Sequence, residues 1–400
     1  MYINIAISKL YWCKKLQLKG GYIAMPLKSI RVLDLTRLLP GPYCTLILAD
    51  FGAEVIKIEE PSIGDYARAD EPKLDEDSAY FHSINRNKKS VCIDLKTDQG
   101  KEQFLKLVED ADVLVESFRP GVMERLGLGY DVLKEIKPSL IYCAITGYGQ
   151  TGPYSSKPGH DINYISYAGL LELMGETDRK PIIPATQIAD IGGGALPATI
   201  GILLAVIEQK RTGKGQFIDI SMLDGVISWM QTILPYYFAS VEQKRGQLPL
   251  SGEKACYAVY ETKDNKFISV GALEEKFWKQ FCEVIGRDDF IPLLNSSLSQ
   301  QLKMKNDIQQ IILKKTRDEW MELFSEVEAC VAPVLSIEEA MQDPQVLFRE
   351  MIQDVEHPEL GLLKQIGFPI KLSETPAKIR RKAPKLGEHT GEFVNKLYSK

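Results

Sequence analysis

Between residues 30 and 221 the chain alternates short apolar runs with amphipathic helical stretches, and that alternation leaves few folds open to it. Runs at 30–35, 54–58, 90–95, 111–116, 140–146 and 216–221 read as strands, the first of them buried. Helical patterns fall at 41–51, 98–110 and around 122–126, then at 161–175 and 192–210. Strands interleaved with helices need crossover connections. The expectation is an α/β fold with a mostly parallel sheet and helices on both faces. The character changes after about residue 235. Runs at 257–262 and 266–270 flank Lys263-Asp264-Asn265 and read as a hairpin. Thr316-x-x-Glu319 and Ser336-x-x-Glu339 read as helix capping boxes. They place a smaller α+β region at about 250–335. The Pro- and Lys-rich stretch 375–386 reads as an extended surface segment or a docked tail.

The chemistry is most concentrated at Gly159-His160-Asp161-Ile162-Asn163-Tyr164, followed by Asp190 and then Gly192-Gly193-Gly194. The chain has only four histidines, and His160 is the one set between a glycine and a carboxylate ahead of a helical pattern. An imidazole and a carboxylate from two segments can face each other across a substrate and move a proton from one face of a carbon to the other. The plain alternative is that these residues cap helices, which is the commoner role for aspartate at such positions. The glycines at 192–194 would let backbone approach a ligand, or would pack a helix closely.

Several classes lose their support. No GxGxxG follows a predicted strand, and no GxxxxGK[ST] or GxSxG occurs. No His/Cys/carboxylate group has metal-ligand spacing, so no metal is expected. The net charge of −5 gives no reason to expect nucleic acid, although a local basic pocket would suit a phosphorylated small molecule. The apolar run at 195–207 is short for a span and contains Pro197, so no membrane partner is expected. Seven scattered cysteines without CxxC fit reduced thiols and a cytoplasmic location. Residues 1–24 carry four lysines, no acid and no long apolar core, unlike a signal peptide. Met25-Pro26-Leu27 opens the first regular pattern, which makes Met25 a candidate start.

A run of short segments carries a family resemblance. They are Val32-Leu33-Asp34-Leu35-Thr36-Arg37 leading to Pro40-Gly41-Pro42, then Asp50-Phe51-Gly52-Ala53-Glu54-Val55-Ile56-Lys57-Ile58-Glu59, then Ile93-Asp94-Leu95-Lys96. Glu116-Ser117-Phe118-Arg119-Pro120-Gly121 follows, then Thr146-Gly147-Tyr148-Gly149-Gln150-Thr151-Gly152-Pro153 and the stretch from Gly159 to Tyr164. Thr212-Gly213-Lys214-Gly215-Gln216 and Leu386-Gly387-Glu388-His389-Thr390 complete it. Each is weak alone, but their order over about 26–395 resembles the family III CoA-transferase (CaiB/BaiF) superfamily, which includes the α-methylacyl-CoA racemases.

The resemblance implies a Rossmann-like large domain with a parallel sheet, a smaller α+β domain and an interlocked homodimer. The corresponding division is an extension at 1–24, a large CoA-binding domain at 25–225, a linker at 226–250, a small domain at 251–335, and a linker with C-terminal return at 336–400. It implies that His160 and Asp190 are the acid/base pair, that Asp161 orients the imidazole, and that Glu274 joins the site from the small domain. Arg37, Lys96, Arg119 and Arg125 would meet the CoA phosphates, with Leu95 and Phe118 as apolar walls. Arg86, Lys88 and Lys89 form a basic turn that could add to them. Glu60 stands where several relatives carry an arginine. Coenzyme A enters as part of an acyl-CoA substrate, and no permanently bound cofactor is implied.

Three activities fit. A 2-methylacyl-CoA racemase is favoured by His160 and Glu274 together. A CoA-transferase would use Asp190 as nucleophile, and the segment 386–390 leans that way. A non-catalytic acyl-CoA-binding protein is the third. The acyl group is not identified, and Tyr164, Tyr167, Met174 and Met222 either line its pocket or belong to the core.

Overall fold

The computed structural model describes residues 25–394 of the 400-residue chain, so the expected extension at 1–24 lies outside the described residues. The chain divides into two compact units. One comprises 1–164, 187–226 and 348–400, and the other 165–186 and 227–347. The second unit therefore takes in residues 165–186 as well, and it extends at both ends beyond the 251–335 read from sequence.

The first unit is built on six strands: β1 (Arg31–Asp34), β2 (Glu54–Glu59), β3 (Lys88–Cys92), β4 (Val113–Glu116), β5 (Ile141–Thr146) and β6 (Phe217–Ser221). Their order is β3-β2-β1-β4-β5-β6, and every neighbouring pair is parallel. β1, β2, β4 and β5 are buried almost throughout, as strands covered on both faces must be. The strand order reverses between β1 and β4, and the carboxyl ends there open a crevice that such sheets use for ligands. The dinucleotide order is thus present without the glycine fingerprint.

The helices of this unit are α1 (Pro40–Asp50), α2 (Ala79–Asn85), α3 (Asp98–Glu109), α4 (Val122–Arg125), α5 (Tyr130–Ile136), α6 (Asp161–Tyr167), α7 (Leu196–Thr212) and α8 (Met222–Trp229). α6 and α8 run across the division between the units. α1 starts with Pro-Gly-Pro, where a missing amide costs nothing. Thr97 and Ser78 cap α3 and α2 through their side chains. Leu33, Ile56, Leu114, Tyr142 and Phe104 form the centre of one core cluster, and Leu95, Phe118 and Leu126 seal its edge.

One helix departs from the sequence reading. Residues Ile188–Ala195 form a π-helix that runs into α7. Its glycines allow close crossing: a Cβ on Gly193 would sit 2.5 Å from the carbonyl of Met222, and one on Gly225 would sit 2.1 Å from that of Gly193. The π-helix and α7 together are long and apolar enough to cross a membrane by length and composition, though half of that stretch is buried inside the protein. The segment 375–386 is docked: Lys378 donates to Asp50, Asn87 donates to Arg381, and Arg68 reaches Pro384.

In the second unit, β7 (Tyr257–Glu261) and β8 (Phe267–Gly271) form the expected antiparallel hairpin, and β9 (Val331–Val334) extends it. Helices α9 (Glu275–Ile285), α10 (Leu298–Ile312) and α11 (Arg317–Phe324) pack on it through Trp278, Phe281, Ile308 and Trp320. Both predicted capping boxes form. A second hairpin, β10 (Ile352–His357) with β11 (Gly361–Ile366), belongs to the first unit and was not anticipated.

Candidate active site

Most residues singled out on the first unit follow the carboxyl ends of its strands. Arg37 comes three residues after β1, Leu95 and Lys96 follow β3, and Phe118 and Arg119 follow β4. Arg37 and Phe118 thus flank the crevice where the strand order reverses. The Arg37 guanidinium lies 5.6 Å from the centre of the Phe118 ring and 4.9 Å from that of Tyr66. Its Nη1 donates to the Tyr66 hydroxyl at 2.9 Å, and its amide donates to Ser117 Oγ at 3.3 Å. Tyr66 was missed in the sequence. Its turn begins at Asp65, whose side chain accepts from Ala67, a local signal of turn geometry but not of chemistry. Arg119, Arg125 and Lys96 are exposed. The exposed carboxylate of Glu60 accepts from the Ser62 hydroxyl, and its charge interacts with Lys96.

The basic turn at 86–89 is corrected. Arg86 is buried and pairs with Asp50 at 2.7 Å. Lys88 is fully buried against Asp34 at 3.1 Å, and burial pulls its ammonium down to about 8. Lys89 is engaged by Glu54 and Glu392. Lys88 Nζ also donates to the Pro42 carbonyl and to Asn85 Oδ1, so all three cations are engaged within the fold.

His160 and Asp190 lie on segments that the structure joins directly. α6 opens at Asp161, immediately after His160. Asp161 Oδ1 accepts the amide of Ala189 at 2.5 Å and that of Asp190 at 3.0 Å. Asp161 thus holds the start of a helix other than its own, and it fixes the Asp190 amide beside the histidine-bearing segment. Two amides at the start of the π-helix are engaged in this way and are not open donors for a substrate oxygen. His160 is exposed, with its amide held by Asn163 Oδ1 at 3.0 Å.

Asp190 is the perturbed carboxyl of this site. Burial, with Asp161 second, pushes it up to about 7. A carboxyl with that value exchanges protons near neutrality and serves as acid or base. Its charge is felt by Tyr164 and Tyr80, both raised chiefly by burial. Tyr164 is buried, donates to the carbonyl of Gly159 at 2.5 Å and stacks edge-on against Tyr148. Met222 packs beneath Gly194. Both belong to the packing behind the site, not to an open acyl pocket. Tyr167 is exposed, and Met174 is half-buried within the second unit. Tyr80 was missed, having no sequence neighbour that marks it.

Glu274 lies in the second unit. It is exposed at the N-cap of α9, where its own carbonyl accepts the amides of Phe277 and Trp278.

The fold brings together one further group that sequence spacing did not show. Asp75, His82 and His357 place ligand atoms within 4.8 Å of one another. His82 Nε2 lies 3.0 Å from Asp75 Oδ1, and His357 Nε2 lies 4.0 Å from Asp75 Oδ2. His357 Nδ1 accepts the amides of Glu359 and Leu360. The neutral ring therefore carries its proton on Nε2 and offers no lone pair there to a cation. His82 hydrogen-bonds Asp75, and the His357 ring packs edge-on against the His82 ring with centroids 5.5 Å apart, so the second hairpin meets α2 here through a ring contact.

The comparisons with known proteins agree with this geometry. Residues 27–390 match the model of CoA-transferase family III. Alpha-methylacyl-CoA racemase of Mus musculus is 37% identical over 375 residues, covering 92% of this chain and 93% of that protein. Succinyl-CoA:glutarate CoA-transferase of Homo sapiens is 32% identical, covering 93% of this chain and 86% of that protein. The crystal structure of a CAIB/BAIF family protein from Brucella suis superposes with a TM-score of 0.82 at 29% identity, covering 94% of this chain and all of that one. Relatives named as racemases and relatives named as transferases are thus both present, at similar identity.

Proposed function

The chain belongs to CoA-transferase family III, and from that premise we propose that it is an acyl-CoA racemase or epimerase acting at the α-carbon of 2-methylacyl-CoA thioesters. One observation carries the reading: a half-buried carboxyl poised at about 7, Asp190, tethered by Asp161 to the segment that bears the exposed His160. The thioester carbonyl acidifies the α-carbon. One of the two groups takes the proton from one face, leaving an enolate, and the other returns a proton to the opposite face. The pair starts and ends with one exchangeable proton, so both directions run on the same machinery.

Arg37, Lys96, Arg119 and Arg125 hold the CoA phosphates, and Leu95 and Phe118 carry the adenine. CoA is part of the substrate, and no resident cofactor is needed. The working unit is an interlocked homodimer, with Glu274 reaching the site from a second copy. The apolar stripe along α7 supports this: Ile200, Leu204 and Ile207 are 58%, 62% and 66% exposed, a face that monomers rarely show to water. Reduced thiols fit a cytoplasmic location; the six described cysteines are free.

CoA transfer is the second reading, favoured by the transferases among the relatives. Asp190 would then attack the thioester carbonyl, release the CoA thiolate and form a mixed anhydride. The thiolate would re-enter to give an aspartyl-CoA thioester and free the first acid. The acceptor carboxylate would then attack that thioester, expelling the thiolate and forming a second anhydride, and thiolate attack at the acceptor's carbonyl would give the new acyl-CoA and free Asp190. A single enantiomer of a 2-methylacyl-CoA, incubated without any free acid, separates the two. The racemase inverts it to a mixture. A transferase leaves it unchanged until an acceptor acid is added.

A further inference from the structure

Glu116, the last residue of β4, is a buried carboxyl that the proton transfer does not use. Its Oε2 accepts the amide of Phe118 at 2.6 Å, which turns the chain as it leaves the sheet. Within that turn, Ser117 Oγ accepts the amide of Arg37, and the Phe118 ring faces the Arg37 guanidinium. One carboxyl therefore shapes the whole β4 side of the crevice.

The groups that act on Glu116 most strongly include no cation. They are Tyr142 on β5, Glu124 on α4 and Asp219 on β6, with the Phe118 amide. Burial first, then Glu124 and Asp219, push its carboxyl up to about 8, against the pull of the Phe118 amide and Tyr142. A protonated carboxyl still accepts the Phe118 amide through its carbonyl oxygen. An ionised one would place a second buried charge among acids. A polyanion bound beside it raises the cost of ionisation further, and by linkage ionisation must weaken the anion.

We infer that Glu116 is a positioning residue for the nucleotide end of the substrate: in its protonated form it holds the Phe118–Arg119 turn against Arg37, so binding of CoA is coupled to retention of that proton. The inference rests on the reading of Arg37, Phe118 and Arg119 as the CoA wall.

Acetyl-CoA binding, followed by titration calorimetry from pH 7 to 9, tests it. Where only the protonated form binds, the competent fraction falls from about nine-tenths to about one-tenth, and the apparent Kd rises about tenfold. The parent chain should approach that rise and take up protons at pH 8, read from buffers of different ionisation enthalpy. Glu116→Gln keeps the shape and the acceptor oxygen. It should bind like the parent at pH 7 and stay within about twofold up to pH 9. A variant that keeps the parent's slope, or a parent that takes up no proton, overturns the inference, and the second result needs no variant to fold. Arg37→Ala separates the underlying reading. If it binds acetyl-CoA as tightly as the parent at pH 7, the CoA wall is misassigned and the inference falls with it.

Discussion

Asp161 does two things to Asp190, and a single substitution tells them apart. It anchors the Asp190 amide, and its charge helps raise the Asp190 carboxyl, second to burial. Asp161→Asn keeps an acceptor oxygen but removes the charge. Asp190 should then ionise more readily, so the acid limb of the kcat/KM profile, near pH 7 in the parent, moves to lower pH. The remaining burial keeps it above the ordinary carboxylate range. An unmoved limb would reduce Asp161 to a backbone anchor. The meeting of the His160–Asp161 segment with Asp190 was legible in the sequence because one connecting segment separates them. The basic turn misled, because Arg86, Lys88 and Lys89 look solvated in a sequence. Their carboxylate partners, Asp50, Asp34 and Glu54, lie 35 to 54 positions away. Glu116 gave no sign of its burial for a similar reason: Tyr142 and Asp219 reach it only once the sheet is assembled.

Elements built on local chemistry were the most readable. The capping boxes at Thr316 and Ser336 and the hairpin of β7 and β8 form where their spacing places them. The strands fall within three residues of their apolar runs, because strands buried on both faces show as continuous hydrophobicity. The π-helix was not readable, since its periodicity differs from that of an α-helix by too little to show over eight residues. Such bulges recur at functional sites, and here it carries Asp190. Its crossing with α8 depends on bare backbone at Gly193 and Gly225. Gly193→Ala should cost about 2 kcal/mol in denaturant unfolding, the usual penalty of overpacking. It should also lower activity by displacing Asp190. An unchanged midpoint would show that the crossing yields freely.

At the scale of the whole molecule, the parallel strand order places Arg37, Phe118 and Arg119 around the reversal between β1 and β4. The exposed stripe on α7 calls for cover from a second copy. Ile207→Glu should convert the dimer to monomer in sedimentation and take catalysis with it, whereas a parent chain that sediments as a monomer would remove the dimer from the account. The exposure of this helix face became visible only with the fold, whereas the homodimer itself was what the family resemblance implied.

The account stands or falls on whether His160 and Asp190 exchange the α-proton without a second substrate. Mass spectrometry of a 2-methylacyl-CoA after incubation in D₂O, with no free acid present, measures this directly. The parent chain should place one deuterium at the α-carbon from either enantiomer, and Asp190→Asn should exchange roughly a thousandfold more slowly while remaining folded. No deuterium with the parent chain, or undiminished exchange with the variant, would contradict it.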